Sequence, residues 1–338
     1  MDERKQRILR AVVSDYTETV VPVGSHVLAA RYFLELSSAT IRNELSELVD
    51  DGFLTQPHAS AGRIPTDQGY RYFVDFLLPQ EVVDPQLRRH VRKGLEAAPP
   101  DVEAILEAAA TILSRLSENV AVVTGPASTV SRLRHVDLVL IRPGQVLMVE
   151  VATSNAALQR MVDVDPLVDD EELGAWTHQL NQLYRGLSGE EVDAAGAFPG
   201  AAPGLGQVVT ELARGLRQLA TRSSLVIHDG VRNLVRQPEF EDPIRLRAVL
   251  EVLEAQRILG EVLTQLAPEA GMQVLIGHEN GLEELHDCSL VLTSYRAGDQ
   301  LYGTIGVVGP TRIRYGQVAA RLQLVSRATG DALSRILA

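Results

Sequence analysis

Apolar residues recur along the first 80 positions with two different periods. Ile8, Val12 and Tyr16, widened by Leu9 and Val13, make a stripe at helical spacing and predict a helix over residues 2–19. "VVPVGS" interrupts it, and Gly24 or Ser25 can cap a short second helix through "HVLAARYF". Ser37 or Ser38 caps a third helix running to about Asp50, with Ile41, Leu45 and Leu48 on one side and Val49 at its margin. Gly52 stands where a helix C-terminus favours a left-handed residue. The period then shortens. "FLTQPH" and "RIPT" flank Ala59 to Gly62 as the two strands of a tight hairpin. Thr66 or Asp67 caps a fourth helix, "QGYRYFVDFLL", ending at Pro79.

Residues 81–100 read as a linker with helix potential in its middle and prolines at its edges. Asp101 suits the N-cap of a helix whose apolar positions include Val102, Ile105, Ala109 and Leu113. From Asn119 the pattern turns to β-branched runs, "VAVVT", "LRHVDLVLIR" and "VLMVEVA", with a "PGQ" turn between the last two. Helices are predicted at 166–187, 205–222 and 243–266, and "AAGAFPGAAPGLG" reads as a flexible joint. Strands resume in "MQVLIG", "CSLVLTSY" and "LYGTIGVVG", and a last helix covers about 313–337. Strands, then helices, then strands again point to an α+β domain with a helical piece inserted midway.

The outer side of the third helix changes the picture from fold to chemistry. It carries Ala39, Asn43, Ser46 and Glu47, with Thr40 and Arg42 at the flanks. Short side chains permit close approach to a major groove, and Asn or Arg can read base edges. Three helices followed by a hairpin is the winged-helix arrangement, and Arg63 beside the hairpin tip can enter a minor groove or clamp phosphate. Net charge is −12 over 338 residues, and residues 1–75 hold eight Lys/Arg against eleven Asp/Glu. Yet Val20–Phe33 and Gln56–Thr66 contain no acidic residue, a local allowance for a polyanion. On residues alone, a DNA reader and a protein-contact module of the same shape stay level.

Composition narrows the remainder. At 45% hydrophobic and 22% charged the chain can bury real cores. A single cysteine excludes a disulfide framework and points to a reducing cytoplasm. No run reaches about 18 apolar residues, so no membrane span is expected.

"PVGSHVLAARY" and "LSSATIRNELSELVDDGFLTQPHASAGRIPTDQGYRYFVD", with "VLIGHEN", "DCSLVLTSY" and "GTIGVVGPTRIRY" later on, resemble the HrcA family of bacterial heat-inducible transcription repressors. The resemblance covers nearly the whole chain and is weakest at about 155–240. It implies a multidomain α+β protein: an N-terminal winged helix-turn-helix (1–80), a GAF-like α/β domain in two pieces (101–160 and 230–338), and an inserted, mainly helical dimerisation domain (161–229). It implies a homodimer that binds an inverted-repeat operator in double-stranded DNA and represses chaperone genes. The GroE chaperonin keeps such a repressor active. No enzymatic activity, cofactor or metal is expected. The runner-up is a ligand-sensing transcription regulator whose GAF-like pocket binds a small effector.

In this reading Thr40, Arg42 and Asn43 contact bases, with Ser38 and Ser46 secondary. His58, Ser60, Gly62 and Arg63 of the wing meet backbone or minor groove, and Arg71 and Tyr72 add phosphate contacts. The apolar helices at 166–187 and 205–266 are the expected dimer contact. His26 departs from the family, which commonly places a bulkier basic residue there, and the Ala194–Gly204 tract is unusually rich in small residues and proline.

Other motifs have plainer readings. Gly303, Gly306 and Gly309 lack the dinucleotide spacing and suit a strand edge. "HENGLEELH" lacks the histidine pair of a zinc helix, and Asp163, Asp165, Asp169 and Asp170 suit a solvated turn and helix start. Cys288 is expected to be a buried thiol, and Trp176 to sit in a core or a dimer contact.

Overall fold

The computed structural model describes residues 1–58, 60–79, 81–128, 131–153, 157–197, 204–221, 225–255, 259–260, 262–263, 266, 271–298 and 301–337. Ala59 of the hairpin, residues 198–203 of the Ala/Gly/Pro tract and several positions at the end of the 243–266 helix lie outside the described residues. The chain forms two compact units. The first comprises Met1–Gly125, Leu225–Tyr295 and Thr304–Ala338; the second comprises Pro126–Ser224 and Arg296–Gly303.

The first unit opens with α1 (Glu3–Thr19), α2 (Ser25–Arg31) and α3 (Ser38–Asp50), then strands β1 (Leu54–Thr55) and β2 (Ile64–Pro65) and helix α4 (Asp67–Tyr72). The caps are those the sequence predicts. Ser37 accepts from the Thr40 amide, Thr66 accepts from the Gly69 amide, and Gly52 adopts φ 82°. Ile41, Leu45 and Leu48 are buried against the preceding helices, with Ile8, Leu9, Val12 and Leu28 in the same core. The fourth helix differs in kind: Phe73–Leu77 is a π turn and not α-helix, a geometry that often marks functional positions.

Helices α5 (Pro85–Glu96) and α6 (Val102–Ser117) follow, the latter capped by Asp101. Next comes an antiparallel sheet of β8 (Val226–Asp229), β3 (Val120–Thr124), β11 (Leu301–Pro310), β10 (Cys288–Ala297) and β9 (Met272–Ile276), in that order, with the short β4 (Ala127–Ser128) also paired to β11. Val120, Val122, Leu290 and Leu292 point into a core with α10 (Val231–Val235) and α11 (Pro243–Glu254). On the other face α6 packs on β3, and the C-terminal helix (Tyr315–Leu337) packs on α6 and α5. Gly303, Gly306 and Gly309 lie within β11, but β11 is the central strand of the sheet, between β3 and β10, and not an edge as the sequence suggests. Cys288 is wholly buried, and burial pushes its thiol up to about 12, so it is no nucleophile at neutral pH.

The second unit corrects the sequence-based boundaries. The helical piece is not confined to 161–229, because β5 (Leu133–Arg142), β6 (Gln145–Ala152) and β7 (Ala157–Asp163) make a separate three-stranded sheet inside Pro126–Ser224. Helices α7 (Asp170–Tyr184), α8 (Gly189–Ala195) and α9 (Leu205–Thr221) belong to the same unit. Leu173, Trp176, Leu180, Val208, Leu212 and Leu216 join Val136, Val146 and Met148 of the sheet in one buried core. Asp169 caps α7, and Asp165 accepts from the Leu167 amide, which accounts for two of the four aspartates.

Candidate nucleic-acid interface

The interface is built from α3 and the hairpin. The apolar side of α3 is fixed by burial, so its opposite side must face solvent: Arg42, Asn43, Ser46 and Glu47 are exposed. Among the described residues the side chains of Arg42, Asn43 and Ser46 make no hydrogen bond within the protein, so their donors and acceptors remain for a ligand. The two other predicted readers are employed at the helix start. Ser38 Oγ lies 2.9 Å from Ser25 Oγ at the N-terminus of α2, and Thr40 Oγ1 lies 2.9 Å from the capping Ser37 Oγ.

Three of the four acids on and just after α3 are paired from α1. Arg4 pairs with Glu44 at 3.2 Å, and Lys5 pairs with Glu47 at 2.7 Å and Asp51 at 3.6 Å. The hydrogen bond to Glu47 holds the Lys5 ammonium above its ordinary value. This pairing leaves the region's net charge as counted, but it sets Glu44, Glu47 and Asp51 each beside a cation. A second lock, Arg31 to the buried Asp15 at 2.9 Å, ties α2 to α1.

The hairpin is wider than its two strands. Val23 forms an antiparallel bridge with Arg63, each amide donating to the other's carbonyl at 2.9 Å, so the segment before α2 adds a third strand. Gly62 makes this possible: a Cβ there would lie 2.5 Å from the Pro22 carbonyl. Gln56 Nε2 at 3.0 Å and an Arg63 guanidinium nitrogen at 3.3 Å both donate to the Ala61 carbonyl and brace the loop. His58 and Ser60 are exposed at its tip, while Gly62 and Arg63 are half-buried.

Arg71 and Tyr72 sit on α4 in another setting. Arg71 forms ion pairs with Glu279 and, at 3.2 Å, with Asp75, and it donates to the Val274 carbonyl at 2.6 Å. The hydrogen bond to Glu279 raises its guanidinium further above its ordinary value. Tyr72 is ringed by Phe53 and Phe76, with centroids at 5.3 and 4.8 Å, and its hydroxyl accepts from Gln6. Both residues hold α4 in place. Asp67 does the same, accepting from the His278 amide at 3.0 Å and lying 2.8 Å from its Nδ1. The "HENGLEELH" loop is thus the counterpart of α4, a role its sequence does not signal, since partners 211 residues apart leave no local pattern.

The HrcA protein C-terminal domain family matches residues 103–319. A heat-inducible transcription repressor HrcA of Desulforamulus reducens is 34% identical over 349 residues, spanning 100% of this chain and 98% of that protein. A protein of the same name from Moorella thermoacetica is 34% identical over 350 residues with the same coverage. The crystal structure of a hypothetical protein at 2.2 Å resolution, 22% identical, aligns with a TM-score of 0.59 over 99% of this chain and 98% of that one. That likeness carries the mixed helix-and-sheet fold alone.

Proposed function

The chain belongs to the HrcA family, and from that membership we propose that it represses heat-shock genes by binding double-stranded DNA as a non-enzymatic regulator in the cytoplasm. Among the described residues no helix is long and apolar enough to cross a membrane. The reading rests on one observation above others: α3 presents Arg42, Asn43 and Ser46 exposed and unpartnered, while its neighbouring acids are tied to Arg4 and Lys5. In this winged helix α3 enters the major groove. Arg42 and Asn43 read base edges, Ser46 adds a polar contact, and His58, Ser60 and Arg63 meet the flanking backbone. Ser38, Thr40 and Gly62 shape the surface, and Arg71 and Tyr72 support it from behind. Asn43→Ala should weaken operator binding by about 1–3 kcal/mol and relax sequence preference at the base it contacts. Titration of an inverted-repeat duplex against single-position variants measures both effects. Unchanged affinity and preference would remove Asn43 from the reading surface.

An inverted repeat needs two identical heads, so the repressor acts as a homodimer, and the GroE chaperonin maintains its active fold. The apolar faces of α7 and α9 are already used inside the second unit, which takes those helices out of the dimer contact expected from sequence. The outer face of β5–β6–β7 is the better candidate. Val139, Leu147 and Met161 are cross-strand neighbours on it, Ile141 stands close by, and Val139, Ile141 and Met161 are 44%, 55% and 49% exposed. Met161→Lys and Leu147→Asp should each convert the dimer to monomer in sedimentation equilibrium. A dimer retained in both variants would place the contact elsewhere.

A further inference from the structure

We propose that an arginine-lined groove between α5 and the C-terminal helix is a second, sequence-independent contact for the phosphate backbone of duplex DNA. The inference rests on the DNA-binding reading above and extends its footprint beyond the winged helix.

Helix α5 is amphipathic in an unusual way. Val91 and Leu95 are buried and seat it on α6 and the C-terminal helix. Arg88, Arg89, Arg92 and Lys93 are all exposed, in a chain whose net charge is −12. Of these, Arg88 and Arg92 line a groove of about 530 Å³ with Arg327 and Arg335 of the C-terminal helix, over Leu324 and Ala328, with Glu96, Asp331 and Ser334 also on its wall. Glu96 draws in Arg335 at 3.2 Å and Arg92 at 3.7 Å. Among the described residues, the side chains of Arg88, Arg89, Lys93 and Arg327 have no ion-pair or hydrogen-bond partner. Elsewhere the chain commonly pairs its arginines, as at Arg4, Arg7, Arg31, Arg71 and Arg312.

Unpaired like charges one helical turn apart, such as Arg89 and Lys93, cost folding a few tenths of a kcal/mol and return nothing to it. An external polyanion reverses that sign. Planar guanidinium forks match phosphate oxygens in pairs, which favours a phosphodiester chain over a diffuse counterion. The location suits DNA. Tyr70 of α4 packs on Tyr315 at the start of the C-terminal helix, with ring centroids 5.9 Å apart. Arg327 lies three helical turns farther on, roughly 18 Å along the axis at 1.5 Å per residue. A duplex turn rises about 34 Å, so the stretch from the α4 contact to Arg327 is shorter than one turn.

The test uses the full chain carrying Arg88→Ala, Arg92→Ala and Arg327→Ala together. Its affinity for an inverted-repeat duplex with long flanks should fall roughly 10- to 100-fold, and the slope of log affinity against log salt should drop by about 2–3, near 0.9 per lost phosphate contact. An unrelated duplex should lose the same factor, leaving the specificity ratio unchanged. Trimming the flanks should bring the parent protein down to the variant, and the corresponding triple-lysine protein should recover most of the slope. Parent-like affinity and slope in the alanine protein would overturn the groove, as would a loss confined to the inverted repeat. If Asn43→Ala weakens operator binding while the groove variant equals the parent, the groove alone falls. If the parent itself does not prefer the inverted repeat, the DNA-binding reading fails and takes the groove with it.

Discussion

Glu150→Gln is expected to hold the unfolding midpoint of the second unit nearly constant between about pH 4.5 and about pH 8, where the parent protein loses stability. Glu150 is 0% exposed on the inner face of β6. Neither carboxylate oxygen has a hydrogen-bond partner among the described residues. Its nearest cation, Arg160 Nε, is 3.6 Å away, and the other Arg160 nitrogens are taken by Glu211 at 2.9 Å and Gln218 at 3.0 Å. Burial pushes the carboxyl up to about 8; Arg160 opposes the rise and Glu211 adds to it. Because the folded value lies above the ordinary 4.5, the folded state favours the protonated acid. Its contribution is therefore complete below about pH 4.5 and disappears as pH rises through about 8. The shift corresponds to something on the order of 3–5 kcal/mol. Trp176, the chain's only tryptophan, is 2% exposed in the core of this unit and reports its unfolding by fluorescence in urea. Parallel loss of stability with pH in the parent and the Gln variant would show that another group titrates.

Gly62→Ala is expected to unseat the wing. The new Cβ would lie 2.5 Å from the carbonyl carbon and oxygen of Pro22 and from the Val23 carbonyl carbon, all backbone atoms that have no rotamer to escape into. Relief requires opening the Val23–Arg63 bridge, with its two hydrogen bonds of 2.9 Å. Overpacking of this kind costs about 1–3 kcal/mol. Displacement of His58, Ser60 and Arg63 should weaken operator binding by roughly tenfold or more, since 1.4 kcal/mol is a factor of ten. Ser60→Ala, at an exposed position, should leave stability within about 0.5 kcal/mol and serves as the control. Chemical denaturation and binding titration read both variants. Parent-like behaviour of Gly62→Ala in both assays would mean the wing bends without cost.

The exposed side of α3 is legible in the sequence because its signals are local. The period of Ile41, Leu45 and Leu48, the capping serine at 37 and the left-handed Gly52 define α3 within sixteen residues, so the exposed residues follow by subtraction. Gly62 reads from sequence as a turn residue and a wing contact, not as a close-packed position. Its close approach to Pro22 depends on a strand forty residues earlier, and no adjacent pattern encodes it. Strand β7 is hidden in the sequence because Arg160 on its inner face and Met161 on its outer face break the apolar alternation; Arg160 is drawn inward by Glu150 and Glu211, a polar demand invisible until the sheet is assembled. With β7 unseen, β5 and β6 were assigned to the larger sheet, and the inserted unit read as mainly helical. The same blindness to long-range pairing made Arg71 a candidate phosphate contact, although Glu279 claims it from 208 residues away. Helix α5 shows the converse: its cationic side was written plainly in "RRHVRK" but passed as linker, because charge acquires meaning only when a second helix lines up beside it.

The central claim is that the exposed side of α3, flanked by the wing, distinguishes one duplex sequence from others in spite of the chain's negative charge. Fluorescence anisotropy of the full chain against the inverted-repeat duplex and a shuffled duplex of equal length, at about 0.15 M salt, tests it directly. The account expects a preference of about 10³-fold or more for the inverted repeat, cut at least tenfold by Arg42→Ala together with Asn43→Ala. Equal affinity for the two duplexes, or a preference that survives the double substitution intact, would contradict it.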